Sequence, residues 1–133
     1  MTEHRDELAG RVDTIERGYE YLLAFAAQGR KDDTGSEVRA TLLAMQAAMG
    51  NLGDLIGTAV RQEFPPTAAG SVAAPASFLA TLADDARKAA GAIAFVLSCP
   101  AIGSLLVDNL NASIHVRALL TDLFLVDQAL RPR

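Results

Sequence analysis

The 133-residue chain contains no tryptophan, and aromatic residues make up only 5% of it, although half of its residues are hydrophobic. A core must therefore be built of Ala, Leu, Val, Ile and Met, and such side chains suit close packing between helices. Lysine occurs only twice, and the net charge is −4 at pH 7. Binding to the phosphates of nucleic acid requires clustered positive charge, which the sequence lacks, so we expect no nucleic acid partner.

Several motifs of known chemistry are also missing. Cys99 is the only cysteine, which excludes an internal disulfide and favours a reducing cytoplasm. The haem-attachment pattern C-x-x-C-H and the Glu-x-x-His pair of di-iron bundles are both absent, so we predict neither a cofactor nor a metal site. The first seven residues carry four charged side chains and no apolar run follows them, unlike a signal peptide. The arginine-rich, alanine-rich composition is typical of GC-rich bacterial genomes.

Two ladders of apolar residues step by alternating threes and fours through the first half of the chain. Because 3.6 residues make one helical turn, this spacing places each ladder on one stripe of a helix. The first predicted helix runs from a capping residue at Thr2 to Gly29, and the second runs from about Glu37 to about Glu63, before Pro65. The ladders are Leu8, Val12, Ile15, Tyr19, Leu22 and Ala26, and Val38, Leu42, Met45, Met49, Leu52, Ile56 and Ala59.

The second half predicts two further helices in the same single domain, residues 1–133. Residues 65–75 are rich in Pro, Ala, Gly and Ser, which indicates a flexible linker. The third predicted helix starts near Pro75, and the fourth runs from about Ala101 to about Leu130. The intervening Ser98-Cys99-Pro100 sequence predicts either a tight corner or a kink. We therefore expect an all-α protein, folded as an up-and-down four-helix bundle.

The fourth predicted helix is apolar around most of its circumference, so one face can serve the core while the other needs a different partner. Charge supports this division, because residues 65–133 hold five acidic and five basic residues against eleven and seven in residues 1–64. We predict a homodimer, or binding of a partner protein, through the third and fourth helices. The residues of the second face are Val107, Ile114, Ala118 and Leu125.

The segment Ala89–Val107 contains no charged residue and is long enough to raise the question of a membrane span. Pro100 and Gly103 interrupt it, and it divides into the end of one predicted helix and the start of the next. We therefore expect two buried helix ends and no membrane-spanning segment.

Polar residues also recur along the fourth predicted helix, at spacings that align them in one solvated stripe: Ser104, Asp108, Asn111, His115 and Asp122. One alternative makes His115 a phospho-acceptor, as in four-helix histidine phosphotransfer domains, where an exposed histidine lies near mid-helix. Those domains usually place Lys-Gly after the histidine, whereas here Val-Arg-Ala-Leu follows it. Asp108, Asn111 and His115 form too thin a ligand set to predict a metal.

The second predicted helix contains a group of residues that could open a pocket, namely Met45, Met49, Gly50, Gly53 and Gly57. Each interior glycine costs about 0.5–1 kcal/mol relative to alanine, so a neighbouring helix or a ligand should approach closely there. We predict a non-enzymatic interaction or regulatory module. The alternatives are a bundle that binds a small apolar ligand near these glycines and a histidine phosphotransfer protein. Cys99 fits a small buried hydrophobe or a reactive thiol at a helix start.

Overall fold

The computed structural model of the protein describes residues 2–63 and 73–130, and within these ranges it contains six helices and no strand. The prediction of an all-α protein is confirmed. The predicted linker, residues 65–75, lies mostly outside the described residues. Its last three residues are the first three of the helix that begins at Ala73. The helices are α1 (Thr2–Ala26), α2 (Val38–Met49), α3 (Leu52–Glu63), α4 (Ala73–Leu97), α5 (Ser104–Ala112) and α6 (His115–Leu130).

The second predicted helix is divided into α2 and α3. Gly50 has an extended backbone, and Asn51 lies in the left-handed region with φ of +54°, a conformation that asparagine adopts more readily than most residues. Met49 and Leu52, on either side of the break, are both buried. The apolar ladder therefore continues across the break, which explains why its spacing predicted one continuous helix.

The fourth predicted helix is likewise divided, into α5 and α6. It begins at Ser104 rather than Ala101, and residues 98–103 connect α4 to it. The break falls at Ile114, whose φ is +66°. A β-branched residue rarely adopts this conformation, so the residue type at this position did not predict a helix break.

The two longest helices organise the fold. α1 and α4 each have 25 residues, and each packs against all four of the shorter helices. Within their apolar stripes, Ile15 and Leu22 of α1 and Leu82 and Ile93 of α4 are fully buried. The shorter helices close the core between them. None of the helices in the described ranges is both long and apolar enough to cross a lipid bilayer.

Candidate functional site

Ser104, the first residue of α5, ties that helix to the end of α1. Its backbone N–H donates to the Arg30 carbonyl at 2.8 Å, and its Oγ accepts the Arg30 N–H at 2.8 Å. The same hydroxyl donates to the Phe25 carbonyl at 2.6 Å. Ser104 is only 3% exposed, so it stabilises a helix junction and does not belong to a solvated stripe.

A second polar cluster holds the connections together at the same end of the molecule. The Asp33 carboxylate accepts the Ile102 N–H at 2.9 Å and the Arg39 Nε–H at 3.2 Å. These two bonds, the first being the stronger influence, lower the pKa of Asp33. Arg39 also donates to the carbonyls of Leu97 and Cys99, at 3.0 and 3.2 Å. The polar groups of this cluster hydrogen-bond to one another and to the backbone, so their role is to hold the connecting segments together.

The remaining members of the predicted polar stripe do not form one continuous line, because the break before α6 separates them. Asp108 is exposed, whereas Asn111 turns toward α1 and donates to the Leu22 carbonyl at 3.4 Å. The Oδ1 of Asn111 is buried without a hydrogen-bond partner. His115 is half-buried and is the first residue of α6, rather than a mid-helix residue as in phosphotransfer domains.

Asp122 of α6 meets Asp85 of α4, a pairing that the sequence analysis missed. Three influences raise the pKa of Asp122 to about 7. The largest is the loss of solvent around its carboxyl group; its hydrogen bond with Asp85 is second, and charge repulsion from Asp85 is third. Its Oδ2 is buried and has no hydrogen-bond partner. The neighbouring Asp84 instead pairs with Arg87 and, at 3.4 Å, with Lys88. The sequence offers two adjacent acids, and only the packing of α4 on α6 distinguishes them.

The structure separates the four residues of the predicted second face. Val107 is fully buried and belongs to the core, because α5 turns it toward the other helices. Ala118 is half-buried, and Ile114 and Leu125 are exposed. Among the described residues, five of the seven large apolar side chains that are exposed lie between residues 95 and 125. The seven are Leu23, Leu43, Phe95, Leu105, Ile114, Phe124 and Leu125.

The residues of the predicted pocket do not line one cavity. Met45 is fully buried beneath α1, and the Arg61 side chain covers Gly57. Met49, Gly50 and Gly53 border an open depression of about 320 Å3 together with α4. A Cβ atom added at Gly53 would lie 3.0 Å from the Cβ of Ala83, so α3 and α4 approach closely at this point.

A more apolar cavity lies nearer the far ends of α3 and α6, where sequence analysis placed none. Its volume is about 200 Å3, and side chains from α3, α4 and α6 line it. Every residue around it is apolar, so it has no polar group that could orient a reacting substrate. The lining residues are Val60, Phe78, Leu79, Leu125, Val126, Ala129 and Leu130.

No family model matches the chain, and neither the curated proteins nor the solved structures compared with it include a match. The described ranges also contain no group of three or more His, Cys, Asp and Glu side chains able to hold a metal ion.

Proposed function

We propose that the protein is a non-enzymatic interaction module that forms a homodimer. In this proposal the six helices act as four arms of an up-and-down bundle, with α2–α3 and α5–α6 as the two broken arms. The dimer forms through the outer surface of the second half, which we define as Phe95, Leu105, Ile114 and Leu125. The observation that carries the proposal is that five of the seven large exposed apolar side chains of the described residues fall between residues 95 and 125, among them Phe95 at 70% and Leu105 at 74% exposure.

The conformation of Ile114 supports the same surface. A β-branched residue with positive φ carries backbone strain on the order of 1–2 kcal/mol. The side chain is 50% exposed, so its packing within the monomer offsets little of this backbone strain. Burial of Ile114 against a second copy would supply the missing stabilisation.

A second copy of this chain is the occupant that the charge distribution favours. Residues 65–133 contain five acidic and five basic residues, so this half of the chain carries no net charge. Two copies that meet through this half therefore do not repel each other by net charge. A two-fold axis also allows each apolar side chain to meet the same surface of the other copy. The single cysteine fits such a role in the cytoplasm, where no disulfide would be needed.

Charged substitutions on this surface should dissociate the dimer. We expect the purified protein to have twice the 14.0 kDa monomer mass by light scattering at micromolar concentration. Leu125→Asp and Ile114→Asp should each raise the dissociation constant by about 30-fold or more, because a buried carboxylate has no partner. Both side chains are exposed in the monomer, so the variants should fold.

Leu43→Asp provides the matched control for these variants, since Leu43 is 52% exposed but lies on α2. It should leave the dimer intact. A wild-type protein that scatters as a monomer contradicts the proposal, and so does a dimer that only Leu43→Asp disrupts.

A second candidate function is binding of a small apolar molecule, which the apolar lining of the cavity between α3, α4 and α6 favours. About 200 Å3 is room for a ligand of about the size of benzene. Titration with benzene, followed by NMR, should shift the signals of Phe78 and Leu79 to saturation. Ala129→Leu should fill the cavity and abolish the shifts, whereas Ala80→Leu, at an exposed position of α4 outside the lining, should not. Unchanged signals in the wild type would exclude this function.

A further inference from the structure

We propose that Asp85 and Asp122 form a proton-operated contact, which holds α4 against α6 when one proton is shared and loosens that contact when the proton is lost. The proposal concerns the monomer fold and does not depend on dimerisation. It rests on the Oδ2 atom of Asp122, which is buried at the packed interface of α4 and α6 without a hydrogen-bond partner, and on the half-buried Asp85 of α4, whose carboxyl group is the hydrogen-bonding neighbour of Asp122.

The protonated and deprotonated states of this pair differ in their hydrogen bonds. With one proton, the carboxyl group of Asp122 donates to the Asp85 carboxylate, which bridges the two helices. Without that proton, two carboxylates face each other. The Oδ2 atom of Asp122 is buried and has no hydrogen-bond partner, so no donor replaces the water that a charged carboxylate would lose on burial. The repulsion between two facing carboxylates and the burial of an unpaired charge both disfavour the closed contact.

The cations closest in sequence on α4 do not neutralise the pair. Arg87 and Lys88 both pair with Asp84. From α5, the charged residue is Asp108, which is exposed. His115 lies two turns before Asp122 on the same side of α6, about 10 Å away along the helix axis.

The charged residues that α1 presents to α6 lie on a different side of that helix. Arg5 and Asp6 of α1 border a groove together with Asp127 of α6. Asp127 follows Asp122 by five residues, which turns it by about 140° around the helix. Arg117, five residues before Asp122, is rotated by the same angle in the opposite sense and is exposed. Asp85 is therefore the charged group that faces Asp122.

The direction of the effect follows from proton linkage. The folded protein holds the Asp122 proton more tightly than the unfolded chain does, because its pKa is raised to about 7 in the fold from an ordinary value near 4. The associated stability is fully present below about pH 4 and is lost as the pH rises through about 7. Asp33, whose pKa is lowered, acts in the opposite sense, since its bonds are lost as the pH falls below its ordinary range.

Thermal unfolding at about pH 5 and about pH 8 tests the contact. The melting temperature of the wild type should fall by at least about 4 °C between the two. In Asp122→Asn the side-chain amide donates to Asp85 at either pH, so this pH-dependent loss should disappear and the variant should be more stable than the wild type at the higher pH. Asp108→Asn, at an exposed position of α5, should keep the wild-type dependence, and so should His115→Gln.

Two further measurements keep the proposal open to refutation if Asp122→Asn fails to fold. The carboxyl carbon of Asp122, observed by NMR in the wild type, should titrate with a midpoint near 7, and Asp85→Asn should move that midpoint to lower pH. Hydrogen exchange protection of α6 should fall above neutral pH while that of α1 is retained. A midpoint below about pH 5, or equal losses of stability in the wild type and Asp122→Asn, would overturn the proposal.

Discussion

Replacement of Gly103 by alanine is expected to destabilise the protein by about 2–3 kcal/mol, measured by denaturant unfolding. The added Cβ would lie 2.7 Å from the Lys31 carbonyl oxygen and 3.0 Å from that of Arg30. These are backbone atoms, and the Arg30 carbonyl also accepts the Ser104 N–H. Relief of the collision therefore requires the start of α5 to move away from the end of α1.

Gly91→Ala is the control for this substitution. Gly91 is an exposed residue inside α4, and a Cβ atom there would meet nothing within 4 Å. The substitution should stabilise the protein by about 0.5–1 kcal/mol through higher helix propensity. If Gly103→Ala were as stable as Gly91→Ala, the close junction between α1 and α5 would be wrong.

Gly18→Ala should be the second strongly destabilising change, with a net cost of about 1–2 kcal/mol after the gain in helix propensity. Its Cβ would lie 2.4 Å from both Cγ and Sδ of Met45. Methionine is flexible, but Met45 is fully buried, so its side chain has little room to move aside. Chemical denaturation of the variant measures the loss.

A double-mutant cycle isolates this contact. In a Met45→Ala background the space above Gly18 is vacated, so Gly18→Ala should there cost nothing or stabilise the protein. Gly10→Ala, on the same helix with nothing within 4 Å of the added Cβ, should stabilise it in either background. Equal costs for Gly18→Ala with and without Met45 would show that α1 and α2 are not in contact at this position.

The helical periodicity of the sequence carries most of the information about the fold. The ladder residues Leu8, Ile15 and Leu22 are buried as their spacing predicted. The two helix breaks were beyond prediction because side-chain spacing reports which residues face the core and not the backbone angle between them. Asn51 gave a weak compositional signal, since asparagine tolerates positive φ, while Ile114 gave none.

The candidate sites were harder to predict for a related reason. Asp85 and Asp122 are 37 positions apart, and their meeting depends on how α4 and α6 are rotated against each other. Val107 shows the same difficulty, because a helix that is apolar on two sides does not reveal which side faces the core. Ser104 was assigned to the surface from its polarity, whereas the Phe25 carbonyl, which accepts from its hydroxyl, and the Arg30 N–H, which donates to it, allow it to be buried.

The helix breaks at Asn51 and Ile114 have a consequence for how the chain folds. α2, α3 and α5 have 12, 12 and 9 residues, and isolated helices of such lengths are marginal in water. Each of them acquires its stability from α1 and α4, which touch them all. The short helices should therefore form late and open early, so that local unfolding begins in α2, α3 or α5. The two long helices should remain associated through the shorter helices that are still folded.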